Sequence, residues 1–264
     1  MHMLRSLAIA SPLAIAALTL HAYPPAPLHA HCAIGPSDEP GRFSLRVYEG
    51  DSYCDEGGRH CNSNFNHDPV SRLTGITRAD LERDGASLTA TMAAEAGTFI
   101  CKGTVHEGVL SGESVFTPDL AFIDRMEHMG FTGYTSEKLE AYAFLDVQSD
   151  WVRSVQQTGV KGLTEDNLIA LHIFKVTPGY ISTFTSLGYP MPDADKLIAL
   201  SVQKVDPEEV RQIRAMGYKP SLDDLIQIRI FHITPDFIRQ MQGRGFKDLT
   251  LSKLVQIKIF KLDE

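Results

Sequence analysis

The chain lacks the short motifs that mark most catalytic centres. It has no Gly-x-Ser-x-Gly elbow, no phosphate-binding glycine loop, no calcium loop and no paired-cysteine zinc motif. Thr135-Ser136-Glu137-Lys138 does not supply a Ser-x-x-Lys pair. Beyond the N-terminus it lacks an apolar run long enough to cross a bilayer. Cysteine is absent after Cys101, and only four occur in 264 residues. Positive charge is in deficit: 25 Lys+Arg stand against 33 Asp+Glu, a net charge of −8 that becomes −9 if Arg5 is removed with a leader. An acidic protein outside the cytoplasm is a poor ligand for nucleic acid, where binding rests on neutralising phosphates. These absences point away from an enzyme and toward a binding protein that needs no cofactor.

Met1 to Ala22 reads as a secretory signal, with Arg5 as its positive charge and Leu7 to Leu20 as its apolar run. Cleavage after Ala22 or after Ala30 fits equally, so residues 1–30 are assigned to the signal; an uncleaved anchor is the alternative. His31 precedes Cys32 where a lipoprotein site requires a small residue. The expected location is the periplasm or the medium, with no stable membrane insertion after cleavage. Four cysteines in an exported chain argue for disulfides, and three pairings are possible. Cys54 with Cys61 across Asp55-Glu56-Gly57-Gly58-Arg59-His60 is favoured, leaving Cys32 with Cys101. The alternative makes Cys101 a buried free thiol in a strand.

Residues 31–116 read as a small antiparallel β-rich domain. Phe43 to Tyr48, the alternation Leu88, Ala90, Met92, the run Thr98 to Val105 and the run Val109 to Phe116 are strand candidates. Thr77 to Arg83 is a short helix candidate capped by Thr77 and Asp80. Asp51 to Asp68 reads as a polar loop. His31, His60 and His67, with Asp55, Glu56 and Asp68, are candidate metal ligands there, although their spacing matches no metal template and polar loops commonly carry histidine. If cleavage follows Ala30, His31 becomes an N-terminal chelator.

Residues 117–264 are periodic. Gly130, Gly159, Gly188, Gly217 and Gly245 are 29, 29, 29 and 28 residues apart, a repeat signature. Apolar residues stand four before each glycine (Met126, Val155, Phe184, Ile213, Met241) and directly after it (Phe131, Val160, Tyr189, Tyr218, Phe246). This is the pattern of a helix closed by a left-handed glycine. Eight before the glycines lie Phe122, Trp151, Tyr180 and Phe237, with Glu209 the exception; at this spacing the series reads as core rather than as a ligand-stacking stripe. Thr177-Pro178, Asp206-Pro207 and Thr234-Pro235 open helices of about ten residues, and Asp119 and Gln148 hold the same place in the first two copies. A second element follows each glycine, led by Leu139, Leu168, Leu197, Leu225 and Leu254. Ser221 and Asp224 predict a capping box for the fourth. Its core, Leu225 to Ile233, alternates like a strand, but helix is favoured because caps frame it. His172 and His232 fall in these elements, where other copies have Ser201 and Lys258, a variability that predicts solvent-facing positions. The expected fold is α+β: the β-rich unit followed by a short α-solenoid of about five helical hairpins, its end turned to water by Lys261, Asp263 and Glu264. Leu225 to Leu262 is locally basic, which reads as a solvated face.

Ala96-Gly97-Thr98-Phe99, Gly103, and Phe116-Thr117-Pro118-Asp119-Leu120-Ala121-Phe122 leading to Met129-Gly130-Phe131, followed by copies with Thr-Pro and Gly-Tyr/Phe, are together distinctive. Residues 85–264 resemble the non-catalytic C-terminal repeat tails of bacterial membrane metallopeptidases of the β-lactamase-sensor type, and stand-alone secreted proteins built from the same module. The resemblance implies a bacterial module and no activity. The peptidase His-Glu-x-x-His is absent, since His106-Glu107 is followed by Gly108-Val109-Leu110. The expected function is that of an exported, non-enzymatic interaction or scaffold protein binding a protein or peptide through its repeats. The alternatives are a small secreted enzyme or metal binder using residues 51–68, and a self-associating envelope protein.

Overall fold

A computed structural model describes residues 24–48 and 63–262. The signal-like run, Cys54, Cys61, Asp55, Glu56, His60, Asp263 and Glu264 lie outside the described residues. Six strands form one antiparallel sheet: β1 (Leu28–Pro36), β2 (Phe43–Tyr48), β3 (Ser63–Val70), β4 (Ser87–Ala94), β5 (Gly97–His106) and β6 (Val109–Pro118), in the order β3-β2-β1-β6-β5-β4. Residues alternate across it. Cys32, Ile34, Leu45, Val47, Ala90, Met92, Phe99, Cys101, Val105, Leu110 and Phe116 are buried on one face. A short helix, α1 (Arg78–Leu81), closes under β1 with the Thr77–Asp80 capping box.

Two strands depart from the sequence expectation. β3 runs through the tail of the presumed 51–68 loop, so His67 sits in a strand opposite Leu45. β1 begins inside the segment assigned to the signal. Leu28, His29 and Ala30 pair with Phe116, Val115 and Ser114, and the Ala26 carbonyl accepts the Ser136 hydroxyl at 2.5 Å. Cleavage after Ala30 would remove these bonds, whereas cleavage after Ala22 keeps them. Leu28, Ala30, Cys32 and Ile34 alternate with His29, His31 and Ala33 as a strand requires, but Leu-His-Ala also imitates a signal cleavage site, which is how the sequence reads there.

A disulfide joins Cys32 of β1 to Cys101 of β5, with a Cα–Cα distance of 6.0 Å. It crosses β6, where Gly112 stands opposite Cys32. A Cβ at Gly112 would lie 2.1 Å from the Lys102 carbonyl oxygen, so the strands approach there only without a side chain. The bridge closes a separation of 69 residues, which in the chain-entropy account stabilises the fold by about 4 kcal/mol.

Ten helices follow as five pairs: α2 (Leu120–His128) with α3 (Ser136–Leu145), α4 (Ser149–Gln156) with α5 (Glu165–Ile173), α6 (Pro178–Ser186) with α7 (Ala194–Val202), α8 (Pro207–Ala215) with α9 (Leu222–Ile230), and α10 (Pro235–Gly243) with α11 (Leu251–Ile259). The first helix of each pair has eight or nine residues rather than about ten. Asp119, Thr177, Asp206 and Thr234 cap these helices with their side chains. The second element is helical in every pair. Its strand-like alternation arises because Leu225 and Ile228 are buried while Ile230 points outward. The second helices pack in sequence, α3 on α5, α5 on α7, α7 on α9 and α9 on α11, and α2 packs on α4 and α8 on α10. All five spaced glycines have positive φ, from 81° to 93°. Behind three of them the next amide reaches back to the last turn, Phe131 to Met126, Tyr189 to Phe184 and Phe246 to Met241.

The sheet and the helices share one continuous core, and α3 and α4 are tied to the β-domain at their ends. Phe144, at the end of α3, packs on Phe99 with ring centroids 5.2 Å apart. Arg72 donates to the Ala143 and Phe144 carbonyls at 2.7 and 3.1 Å. Gln148 caps α4 with no side-chain bond. Glu95, from the turn between β4 and β5, accepts the Ser149 amide at 2.6 Å instead, so a β-turn carboxylate does the work of the missing cap.

Gly188→Val and Gly217→Val are each expected to cost about 1–3 kcal/mol, because a β-branched residue is forced to positive φ. No atom lies within 4 Å of either added Cβ, so the loss is conformational rather than steric. Gly217→Asn, which tolerates this region better, is expected to lose less. Thermal melts by circular dichroism check it, and an unchanged midpoint in both valine variants would remove the helix-end assignment.

Candidate interaction surface

The position four residues after each leading leucine holds His172, Ser201, Arg229 and Lys258. Its variability conceals a shared role. His172 hydrogen-bonds the Leu145 carbonyl, the Ser201 hydroxyl donates to the Phe174 carbonyl at 2.6 Å, and Arg229 Nε donates to the Gln203 carbonyl at 3.3 Å. Each acceptor lies at the end of the preceding second helix, so these side chains satisfy orphan carbonyls of the neighbouring copy. They are therefore half-buried joints between copies, whereas His232 is exposed, as expected of a solvent-facing position. His232 does not belong to this series; counting from Leu225, its equivalents are Lys175, Lys204 and Lys261.

The same side chains meet the position eight before each glycine. His172 lies edge-on to Trp151 at 4.8 Å, and Lys258 Nζ sits 4.1 Å from the Phe237 ring centroid. In the fourth copy both partners change: Glu209 replaces the aromatic ring and meets Arg229 at 2.7 Å. That exchange explains the single exception in the aromatic series. Burial holds the His172 pKa below its ordinary value, opposed by the Leu145 carbonyl and the Asp146 charge.

The second helices end in a surface feature that recurs four times. Their last residues are Ile173, Val202, Ile230 and Ile259, which are 49, 42, 48 and 51% exposed. Phe174, Gln203, Phe231 and Phe260 follow, then Lys175, Lys204, His232 and Lys261. The last four take the left-handed conformation, with φ of 56°, 53°, 53° and 51°. The following amide closes the turn each time: Val176 to Leu171, Val205 to Leu200, Ile233 to Ile228 and Leu262 to Ile257. A non-glycine residue pays about 1–2 kcal/mol for this geometry. At the opposite end of the array the chain uses glycine for the same turn, so the charged side chains are retained at an energetic cost. None of Lys175, Lys204, His232 and Lys261 forms an ion pair among the described residues.

The first copy has the same turn in a different setting. Phe144 occupies the ridge position and is only 8% exposed, covered by Phe99. The left-handed residue is Asp146, with φ of 61°, and its carboxylate faces Arg72 at 3.2 Å. Between the second and third copies the ridge opens into a shallow groove of about 430 Å³ bounded by Ile173, Phe174, Lys175, Val202 and Lys204. Tyr180 forms its floor with Ser201, and burial pushes the Tyr180 phenol up to about 12.

His31 lies inside β1 with its ring stacked on Tyr48 at 5.5 Å, and His67 is in β3. Among the described residues no three His, Cys, Asp or Glu side chains converge as a metal site. The ridge itself was legible as Ile-Phe-Lys, Val-Gln-Lys, Ile-Phe-His and Ile-Phe-Lys before each new copy; it was absorbed into the expected helix core.

Two outcomes follow from this geometry. Lys204→Gly is expected to raise stability by up to about 1 kcal/mol by relieving the left-handed conformation, whereas Lys204→Val lowers it; urea unfolding reads both. For His172, the unfolded imidazole titrates near about 6.5 and the folded one lower. The stabilisation is therefore present above that pH and is lost as pH falls through it toward the folded value, because the unfolded chain takes up the proton first. His172→Gln should flatten the wild-type loss of stability between about pH 7.5 and 5, measured by urea midpoint.

No protein-family model matches the chain, and no curated protein and no solved structure matches it.

Proposed function

We propose that the protein is an exported, non-enzymatic interaction protein of a bacterial periplasm or exterior, in which the helix pairs form a short α-solenoid closed at one end by the β-domain. The Cys32–Cys101 disulfide supports an oxidising compartment. Stacked repeats generate extended surfaces rather than enclosed sites. The observation that carries the reading is the recurrent ridge of exposed apolar side chains and unpaired cations, since contiguous exposed apolar surface marks interaction sites. Its first copy is already occupied by protein, namely the β-sheet. The ligand is a protein or peptide. The resemblance to the non-catalytic repeat tails of β-lactamase-sensor-type metallopeptidases accords with this role, as a module that recognises rather than cleaves.

A photo-activated cross-linking residue placed at Val202 is expected to capture a partner from periplasmic extract, and one at Gln240, away from the ridge, to capture none. Equal adducts at both positions, or no adduct from the ridge alongside a hydrolytic activity of the purified protein, would overturn the proposal.

A further inference from the structure

We propose that the ridge takes an extended, acidic polypeptide segment with an apolar side chain at about every third residue. The inference rests on the interaction reading above and gives the partner its chemistry. Three features of the ridge lead to it.

The first is a reversal of charge. Where the turn is covered, its left-handed residue is Asp146 and the covering element brings Arg72. Where it is uncovered, the same residue is Lys175, Lys204, His232 or Lys261. A partner that satisfies the uncovered copies as the β-domain satisfies the first must bring carboxylates in place of the guanidinium. The covering element also brings Phe99 to Phe144, so the partner must bring apolar side chains to Ile173, Val202, Ile230 and Ile259.

The second is spacing. Packed helices stand about 8–10 Å apart, and an extended chain advances about 3.3 Å per residue. Consecutive ridge units therefore match about three residues of chain, and in the polyproline II conformation, with three residues per turn and about 3.1 Å per residue, one apolar residue per unit stays on the ridge side with an acidic one beside it. The groove between Phe174 and Val202, floored by Tyr180, is the place for one apolar anchor. A helix, whose apolar face recurs every three or four residues over about 5.4 Å, would not keep register with successive units.

The third is the backbone. A macrodipole alone favours a cation near a helix C-terminus, yet Asp146 shows that the array accepts an anion there when a partner compensates it. The cations are thus matched to what covers them, not only to the helix beneath.

The test uses the full mature chain and fluorescein-labelled peptides of about 12 residues, four Leu-Glu-Ser units or four Leu-Lys-Ser units. The acidic peptide is expected to bind with an affinity that falls as salt rises above about 0.1 M, and the basic peptide not to bind. The Lys175→Glu, Lys204→Glu double variant should weaken the acidic peptide about tenfold or more and acquire affinity for the basic one. That gain cannot come from misfolding. A Val202→Ser variant should weaken the acidic peptide without changing its salt dependence. Equal binding of the two peptides, or an acidic affinity indifferent to the double variant, would overturn the proposal. So would association with phosphatidylglycerol vesicles in place of the peptide, or dimerisation through the ridge in light scattering. If the Val202 position still cross-links a partner while the acidic peptide fails, the interaction reading stands and this chemistry falls.

Discussion

The end of α3 is the point on which the rest of the array depends. A helix terminus leaves carbonyls without partners, and burying them unpaired costs free energy. At the end of α3 the Ala143 and Phe144 carbonyls are taken by Arg72, and the Leu145 carbonyl by His172 of the next copy. One helix end is thus shared between the β-domain before it and the repeats after it. The start of α4 is held by Glu95 and the start of α3 by Ala26. The array is therefore anchored by polar groups whose alternative is an unsatisfied backbone, with Phe99 and Phe144 excluding water beside them. The joint then propagates. Ser201 serves the end of α5 as His172 serves the end of α3, and Arg229 serves the end of α7.

The two ends of the helix pairs solve one geometric problem in opposite ways. Each helix must stop within a few residues and reverse, and the left-handed turn does this with two backbone bonds. Between the two helices of a pair the chain uses glycine. After the second helix of each pair it uses Asp146, Lys175, Lys204, His232 and Lys261. Apolar residues follow both kinds of turn, so packing does not explain the difference. A charged side chain at the second kind does something that glycine would not do, and in the first copy that is visible as the ion pair of Asp146 with Arg72.

The periodic half was largely legible because its signals are local. Glycine spacing, Thr-Pro and Asp-Pro starts and the Ser221–Asp224 box each reflect backbone geometry set within a few residues. The strands β2, β4, β5 and β6 were legible from alternation. What escaped depended on neighbours distant in sequence. β1 is an Ala- and His-rich strand made by its place between β2 and β6. The role of Glu95 as the α4 cap cannot be read from Gln148. The His172, Ser201 and Arg229 series looked variable because three different donors perform one task. The ridge was misread for a related reason: an apolar residue at the last position of a short helix carries the same periodicity whether it faces a core or solvent.

The β-domain has a double role that the array makes intelligible. A stack of helix pairs needs its first pair covered, because an uncapped face exposes the surface that the next pair would bury. Here the cover consists of a sheet stapled by Cys32–Cys101, and it approaches the first ridge unit with one ring and one cation. The first copy has adapted to that cover by turning its ridge residue to Phe144 and its charge to Asp146. The remaining copies keep Ile173, Val202, Ile230 and Ile259 at the first position and Lys175, Lys204, His232 and Lys261 at the second. In the first copy the two positions match what lies against them, Phe144 against Phe99 and Asp146 against Arg72.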